Sequence, residues 1–204
     1  FDDIVKNTVE SYAHKSLNTP VEIAELRSDW SQHSVNIDFI EVKNPDNFSN
    51  DNAFVLNHLS ASLSDETQGE LIILDQLEFD GLLFTLEQNN NQVNLVELLK
   101  SLDRKTPGMH ESIENTHPGK RSYRLKINKL SFINTQLFID TQWLQETVEV
   151  PSVIIYNFGT DQGIPMAQVG AELMKLALTR IQSEAGKKGL KLSEKEIKEG
   201  IQRQ

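Results

Sequence analysis

The sequence predicts an α+β fold, a mainly antiparallel β-sheet of stacked strand–turn–strand units covered by N-terminal and C-terminal helices. Three observations predict it. Apolar and polar residues alternate in several stretches between residues 21 and 158, as half-buried strands require. The period changes to helical spacing at 1–17, 94–104 and 165–184. A short apolar motif also recurs: Ile23-x-x-Leu26, Leu74-x-x-Leu77 and Ile127-x-x-Leu130 each open a pair of strand patterns.

The chain divides into an N-terminal amphipathic helix (1–17), a β-rich domain (20–183) with a flexible loop at about 105–121, and a polar, basic C-terminal tail (184–204). In the first segment Phe1, Ile4, Val5, Val9, Tyr12, Ala13 and Leu17 share one helical face. Pro20 ends that pattern, and the segments VEIAELRSDW and SVNIDFIEVKNP read as extended. In the second, Val35, Ile37 and Phe39 alternate with Asn36 and Asp38, and Asn44-Pro45-Asp46-Asn47 marks a turn. Residues 53–64 and 69–79 continue the strand pattern. Asp80-Gly81 then reads as a hairpin turn before the strand LLFTLEQ.

Helical spacing follows, with Leu95, Leu98, Leu99 and Leu102 on one face and Asn94 as N-cap. The loop 105–121 carries two Pro-Gly pairs and few apolar groups. Strand patterns resume in YRLKINKLSFIN, TQLFIDTQWL and ETVEVPSVIIYNFG, with Pro151 breaking the last. Pro165 suits the first turn of the final helix, whose stripe is Val169, Leu173, Leu176, Ala177 and Ile181, widened by Met166, Met174 and Leu178. The paired elements Leu77-Glu-Phe79 and Leu130-Ser-Phe132 each precede a turn and another strand, the basis for stacked units.

Composition excludes several function classes. The chain has 204 residues, a formal net charge of -10 and no cysteine. A nucleic-acid partner calls for a basic surface, so none is expected. Disulfide scaffolds, thiol catalysis and Cys-based zinc sites are excluded. The tail alone is basic: from Arg180 onward there are seven Lys/Arg against four Glu. His14, His33, His58, His110 and His117 show no metal-ligand spacing, and no GxGxxG, P-loop or GxSxG element occurs. Neither cofactor, metal nor enzymatic activity is expected. Asp38, Glu41, Asp75, Glu78 and Asp140 fall on polar strand positions and read as solvated.

Leu71-Ile72-Ile73-Leu74 and Val153-Ile154-Ile155-Tyr156 carry apolar groups toward both faces and need cover on both. Complete cover gives a closed core. Incomplete cover leaves an apolar trough suited to an acyl chain, each buried CH₂ contributing about 0.8 kcal/mol.

An ordered series of features resembles AsmA-like proteins of the Gram-negative envelope, in the small, single-domain branch anchored in the inner membrane. Ile23-x-x-Leu26 precedes an extended segment ending in Asn44, Pro45 and Phe48. A strand pair then ends at Asn94-Leu95 and opens a Leu-rich helix through Leu98 and Leu99. A strand ending in Pro151, a turn with Gly159 and Gly163, and a terminal helix from Pro165 complete it, so that the likeness spans about 1–183.

The resemblance implies a single-pass anchor before Phe1, with this domain in the periplasm. It implies a non-enzymatic role in binding lipid or assisting lipid transport and envelope biogenesis, with a phospholipid or fatty acid, the inner membrane and envelope proteins as partners. At about eight to ten strands by the alternation count, the chain is short for an envelope-spanning conduit. On this reading Phe39, Phe79, Phe84, Phe132 and Phe138 are the candidate lipid-facing residues, and Phe84→Asp abolishes lipid uptake without unfolding the domain. The alternative is a protein–protein adaptor or structural envelope component with a closed core, its free sheet edge or basic tail engaging a partner.

Overall fold

The computed structural model describes residues 19–101 and 123–189, together with Glu10 and His14. The rest of the expected helix over 1–17, the loop at 105–121 and the tail beyond 189 lie outside the described residues. β1 (Val21–Asp29), β2 (Ser34–Lys43), β3 (Asn52–Leu63) and β4 (Leu71–Asn89) form an antiparallel meander. β5 (Gln92–Val93) turns back on β4 and leads into helix α1, described over 94–101. β6 (Arg124–Ile133) and β7 (Thr135–Asp140) follow, then β8 (Gln145–Val150), β9 (Val153–Phe158), β10 (Ile164–Pro165) and helix α2 (Met166–Lys187). All ten strands belong to one mixed, mostly antiparallel sheet.

β4 pairs in parallel with β6 along its first half and with β7 along its second, in one unbroken register from Leu71↔Arg124 to Glu87↔Asp140. A parallel neighbour cannot be reached by a hairpin, which is why helical spacing intervenes between β4 and β6. The motifs Leu77-Glu-Phe79 and Leu130-Ser-Phe132 therefore lie side by side, Leu77 opposite Leu130 and Phe79 opposite Phe132. They are parallel neighbours, where the sequence suggested stacked hairpin units. β8 and β9 return antiparallel to β7 and β6 in a single register, Thr135↔Val150 and Phe132↔Val153.

Asp80-Gly81 is no hairpin. It lies inside the 19-residue β4, where Gly81 takes φ 81°. The same irregularity crosses the sheet. In β1 to β4 and at the β6–β7 and β8–β9 junctions, two consecutive residues turn away from the core between two that face it: Ile23-Ala-Glu-Leu26, Ile37-Asp-Phe-Ile40, Leu56-Asn-His-Leu59, Phe79-Asp-Gly-Leu82, Phe132-Ile-Asn-Thr135 and Val150-Pro-Ser-Val153. These quartets stand opposite one another across the ladder. An extra residue in one strand is a β-bulge and reverses which side chains face inward. Here β1 to β4 and the two junctions each have one at the same level, so register survives and one face stays apolar on both sides of the crease. Three of the outward residues, Phe39 (φ 55°), Gly81 and Asn134 (φ 53°), hold the left-handed backbone.

α2 packs on the inner face, with Val169, Ala171, Ala177, Leu178, Ile181 and Ala185 buried against the strands. It begins one residue after Pro165, which ends β10, and continues through Lys187, past the boundary expected at 183. α1 buries Leu95 and Leu98 completely. Asn94 is fully buried too, but its side chain works on β4 and the β2–β3 loop rather than as a helix cap: Oδ1 accepts from Glu87 N (2.9 Å), and Nδ2 donates to Thr85 O (2.7 Å) and Asn44 Oδ1 (2.8 Å). The amide thereby extends the strand ladder beyond β5 and satisfies buried backbone groups. Ile23, Leu26 and Ile37 form a second apolar cluster, and Glu10 Oε1 accepts from Ile23 N at 2.8 Å on β1.

Candidate functional site

The five aromatic residues separate onto two faces. Phe84 is 1% exposed and packs its ring 5.2 Å from Phe54. Phe79 and Phe132 stack at 4.9 Å on the inner side of the crease. These three are core side chains. Ala177 and Arg180 of α2 stand beside Phe84 and Phe132. The gap lined by Phe84, Phe132, Thr135, Val150, Ala177 and Arg180 has a volume of about 10 Å³, room for one water-sized sphere and no acyl chain. Phe84→Asp would put a carboxylate into that packing, so the expectation that it spares the fold is corrected.

Phe138 sits between buried Leu137 and Ile139, so strand alternation sends it to the outer face, where it is half-buried. Phe39 is 41% exposed. The alternation Val35, Ile37, Phe39 placed it inward. The extra residue in β2 turns it outward and gives the inward position to Ile40.

Around Phe39 the outer face is polar. β1, β2, β3 and β4 bring Glu25, Asp38, His58 and Asp80 into one row. His58 Nδ1 lies 2.6 Å from Asp38 Oδ1, and the Arg27 guanidinium donates to Asp38 Oδ2 at 2.5 Å. The hydrogen bond from His58, and then the charge of Arg27, holds the Asp38 carboxyl below the usual carboxylate range. Asn134 Nδ2 donates to Asp80 Oδ1 at 2.9 Å, tying β4 to the β6–β7 junction across the crease. Among the described residues Asp38 is the hydrogen-bond partner of the His58 ring. No group of three His, Asp or Glu among them is gathered as a metal site, and no described helix is long and apolar enough to cross a membrane.

Sequence reasoning missed Glu87. It is 4% exposed and fixes the loop between β2 and β3, accepting from Ser49 N (2.6 Å), Asn50 N (2.7 Å) and Asn50 Nδ2. The same amide group donates to Asp140 Oδ2 at 2.9 Å, bridging two carboxylates paired across β4 and β7. The Asn-rich run 44–52 is the one sequence hint of these donors. Nothing local marks Glu87 as their acceptor.

No protein-family model and no curated protein matches the chain. The functional reading therefore rests on the residues and on the resemblance drawn from their order.

Proposed function

We propose that the chain is a non-enzymatic binding domain of the Gram-negative envelope, tethered to the inner membrane with this domain in the periplasm. It works as a protein–protein adaptor or structural component whose contacts lie outside a closed sheet. The envelope placement is supported by the AsmA-like series from Ile23-x-x-Leu26 through Asn44-Pro45 and Pro151 to the helix after Pro165.

One observation carries the contact role. Phe39 is an exposed aromatic held at φ 55°. The left-handed backbone costs an L-residue roughly 1–2 kcal/mol, and equivalent places in the crease carry Gly81 and Asn134, which bear it better. A bulky side chain kept at such a position while half in water marks a functional contact. The narrow gap beneath α2 favours surface contact over an enclosed lipid.

A second reading, lipid binding or lipid transport, is favoured by the placement of Phe39 and Phe138 away from the core. Photo-crosslinking from p-benzoylphenylalanine at position 39 of the full-length protein, with native mass spectrometry and organic extraction, separates the two. The adaptor reading expects a discrete protein adduct and a lipid-free mass. A phospholipid or fatty-acid adduct with near-stoichiometric co-purified lipid replaces it with the second reading, and no adduct of either kind overturns both.

A further inference from the structure

We propose that a polar cleft at the end of β4 and β7, remote from Phe39, binds a neutral polyhydroxylated ligand, that is, a saccharide. The cleft has a volume of about 600 Å³, within the roughly 300–1,000 Å³ span of small-molecule sites. Its walls are the β2–β3 loop (Asn47, Phe48, Ser49), the end of β4 (Glu87, Gln88, Asn89) and the β7–β8 turn (Asp140, Thr141, Gln142, Gln145).

The chemistry of the walls selects the ligand. Among the described residues no Lys, Arg or His lines the cleft, so its lining side chains offer no positive charge to a phosphate or carboxylate. The two acids are already engaged. The Glu87 carboxylate is saturated by the Ser49–Asn50 donors, and Asp140 accepts from Asn50 Nδ2 (2.9 Å) and Gln145 Nε2 (3.2 Å). A cation would have to compete with these donors for the two carboxylates. Available for a ligand are carboxamides: among the described residues the side chains of Gln88 and Gln142 have no hydrogen-bond partner. An amide offers both donor and acceptor, matching a hydroxyl that does both. Phe48 is the aromatic residue of the wall, and Trp143, 65% exposed, follows Gln142 in the β7–β8 turn without itself lining the cleft. An aromatic side chain and carboxamides lining one cleft suit a pyranose, whose faces are C–H and whose edge is hydroxyl.

The frame is rigid where it must be. Glu87 clamps the β2–β3 loop, and Thr141 closes its turn by donating to and accepting from Leu144 (Oγ1 to O 3.2 Å, N to Oγ1 3.0 Å). Amides carried on fixed loops are pre-organised, which lowers the ordering cost of binding.

The test is a ¹H–¹⁵N titration of the full 204-residue chain with maltotriose and with N,N′-diacetylchitobiose, with CaCl₂ and spermidine as separate arms. The proposal expects saturable shifts in the Gln88 and Gln142 side-chain amides and the Trp143 indole with at least one saccharide. It expects affinity to fall about tenfold in Gln88→Ala/Gln142→Ala, as loss of two ligand hydrogen bonds implies, and to fall again in Trp143→Ala. Absence of shifts with both saccharides overturns it. So do shifts confined to the cation arms, or saccharide shifts that both variants leave unchanged.

Discussion

Replacing Gly81 with alanine tests the crease that organises the sheet. Gly81 holds φ 81°, and a Cβ there would lie 2.6 Å from Asn57 Nδ2 and 3.0 Å from Asn57 Cβ. The backbone conformation costs an L-residue about 1–2 kcal/mol. Displacing the Asn57 amide is easy at its tip but not at its stem, and an off-rotamer side chain adds about 1 kcal/mol. Alanine recovers roughly 0.4–1 kcal/mol by restricting the unfolded chain. The net expected loss is about 2 kcal/mol, which at a urea slope near 2 kcal/mol/M moves the midpoint down by about 1 M. The slope itself should not change. Asn57→Gly in the same background removes the opposing stem and should return the contact part, about 1 kcal/mol, leaving the backbone part in place. A loss below about 0.5 kcal/mol, the range of ordinary surface substitutions, refutes the reasoning. So does a loss that Asn57→Gly fails to reduce, because the strain would then have no source in that contact.

Four further outcomes follow from the packing and the polar network. Phe84→Ala should cost about 3–5 kcal/mol in urea unfolding, and Phe84→Asp should leave the chain without cooperative unfolding by circular dichroism. Glu87→Gln should cost about 2–3 kcal/mol, since a carboxamide turns an NH₂ toward the Ser49 and Asn50 donors; hydrogen exchange at those amides should accelerate selectively. Thr135→Val should be neutral or stabilise by about 1 kcal/mol, because among the described residues the buried Oγ1 has no partner and, Arg180 apart, the side chains lining the gap with it are apolar. Asp38 governs a pH effect: its lowered folded pKa means its contribution is full above the ordinary carboxylate range and is lost as pH falls through the lowered value. Thermal melts of Asp38→Asn should therefore run below the unmodified chain at neutral pH and converge with it in acid; a constant offset would contradict the ion-pair account.

The strands were legible because their inward residues are apolar, and α2 was legible because one stripe of it is. What alternation could not show was the meaning of its interruptions. Ile37-Asp-Phe-Ile40 and Phe79-Asp-Gly-Leu82 each hold one residue too many for a simple strand, and the natural readings were an inward Phe39 and a hairpin at Gly81. A bulge and a turn share the same local chemistry, a glycine or asparagine at positive φ. Only the neighbouring strands decide between them. Parallel pairing of β4 with β6 and β7 was concealed for a related reason: side-chain period does not depend on strand direction. The Phe79–Phe132 stack follows from that pairing, not from either strand alone. Glu87 was hidden because its donors are backbone groups of a loop 37 and 38 residues earlier.

The crease also explains why the exposed aromatic stands where it does. Four strands and the β6–β7 and β8–β9 junctions carry the extra residue at one level, so removing it from any one of them would reverse inward and outward side chains on one side of that strand alone. In β2 that change would exchange Ile40 for a polar neighbour against the core or push Ile37 into water. The bulge is therefore fixed by its neighbours, and with it the outward direction of position 39. Such over-determination is what lets a strained conformation persist. The side chain at that position is under no comparable packing constraint: Asn or Gly would hold the same backbone with less strain, as Asn134 and Gly81 do in their own strands. Stability alone thus accounts for the bulge in β2 but not for phenylalanine within it, and the difference between the two is the physical content of assigning Phe39 to a contact.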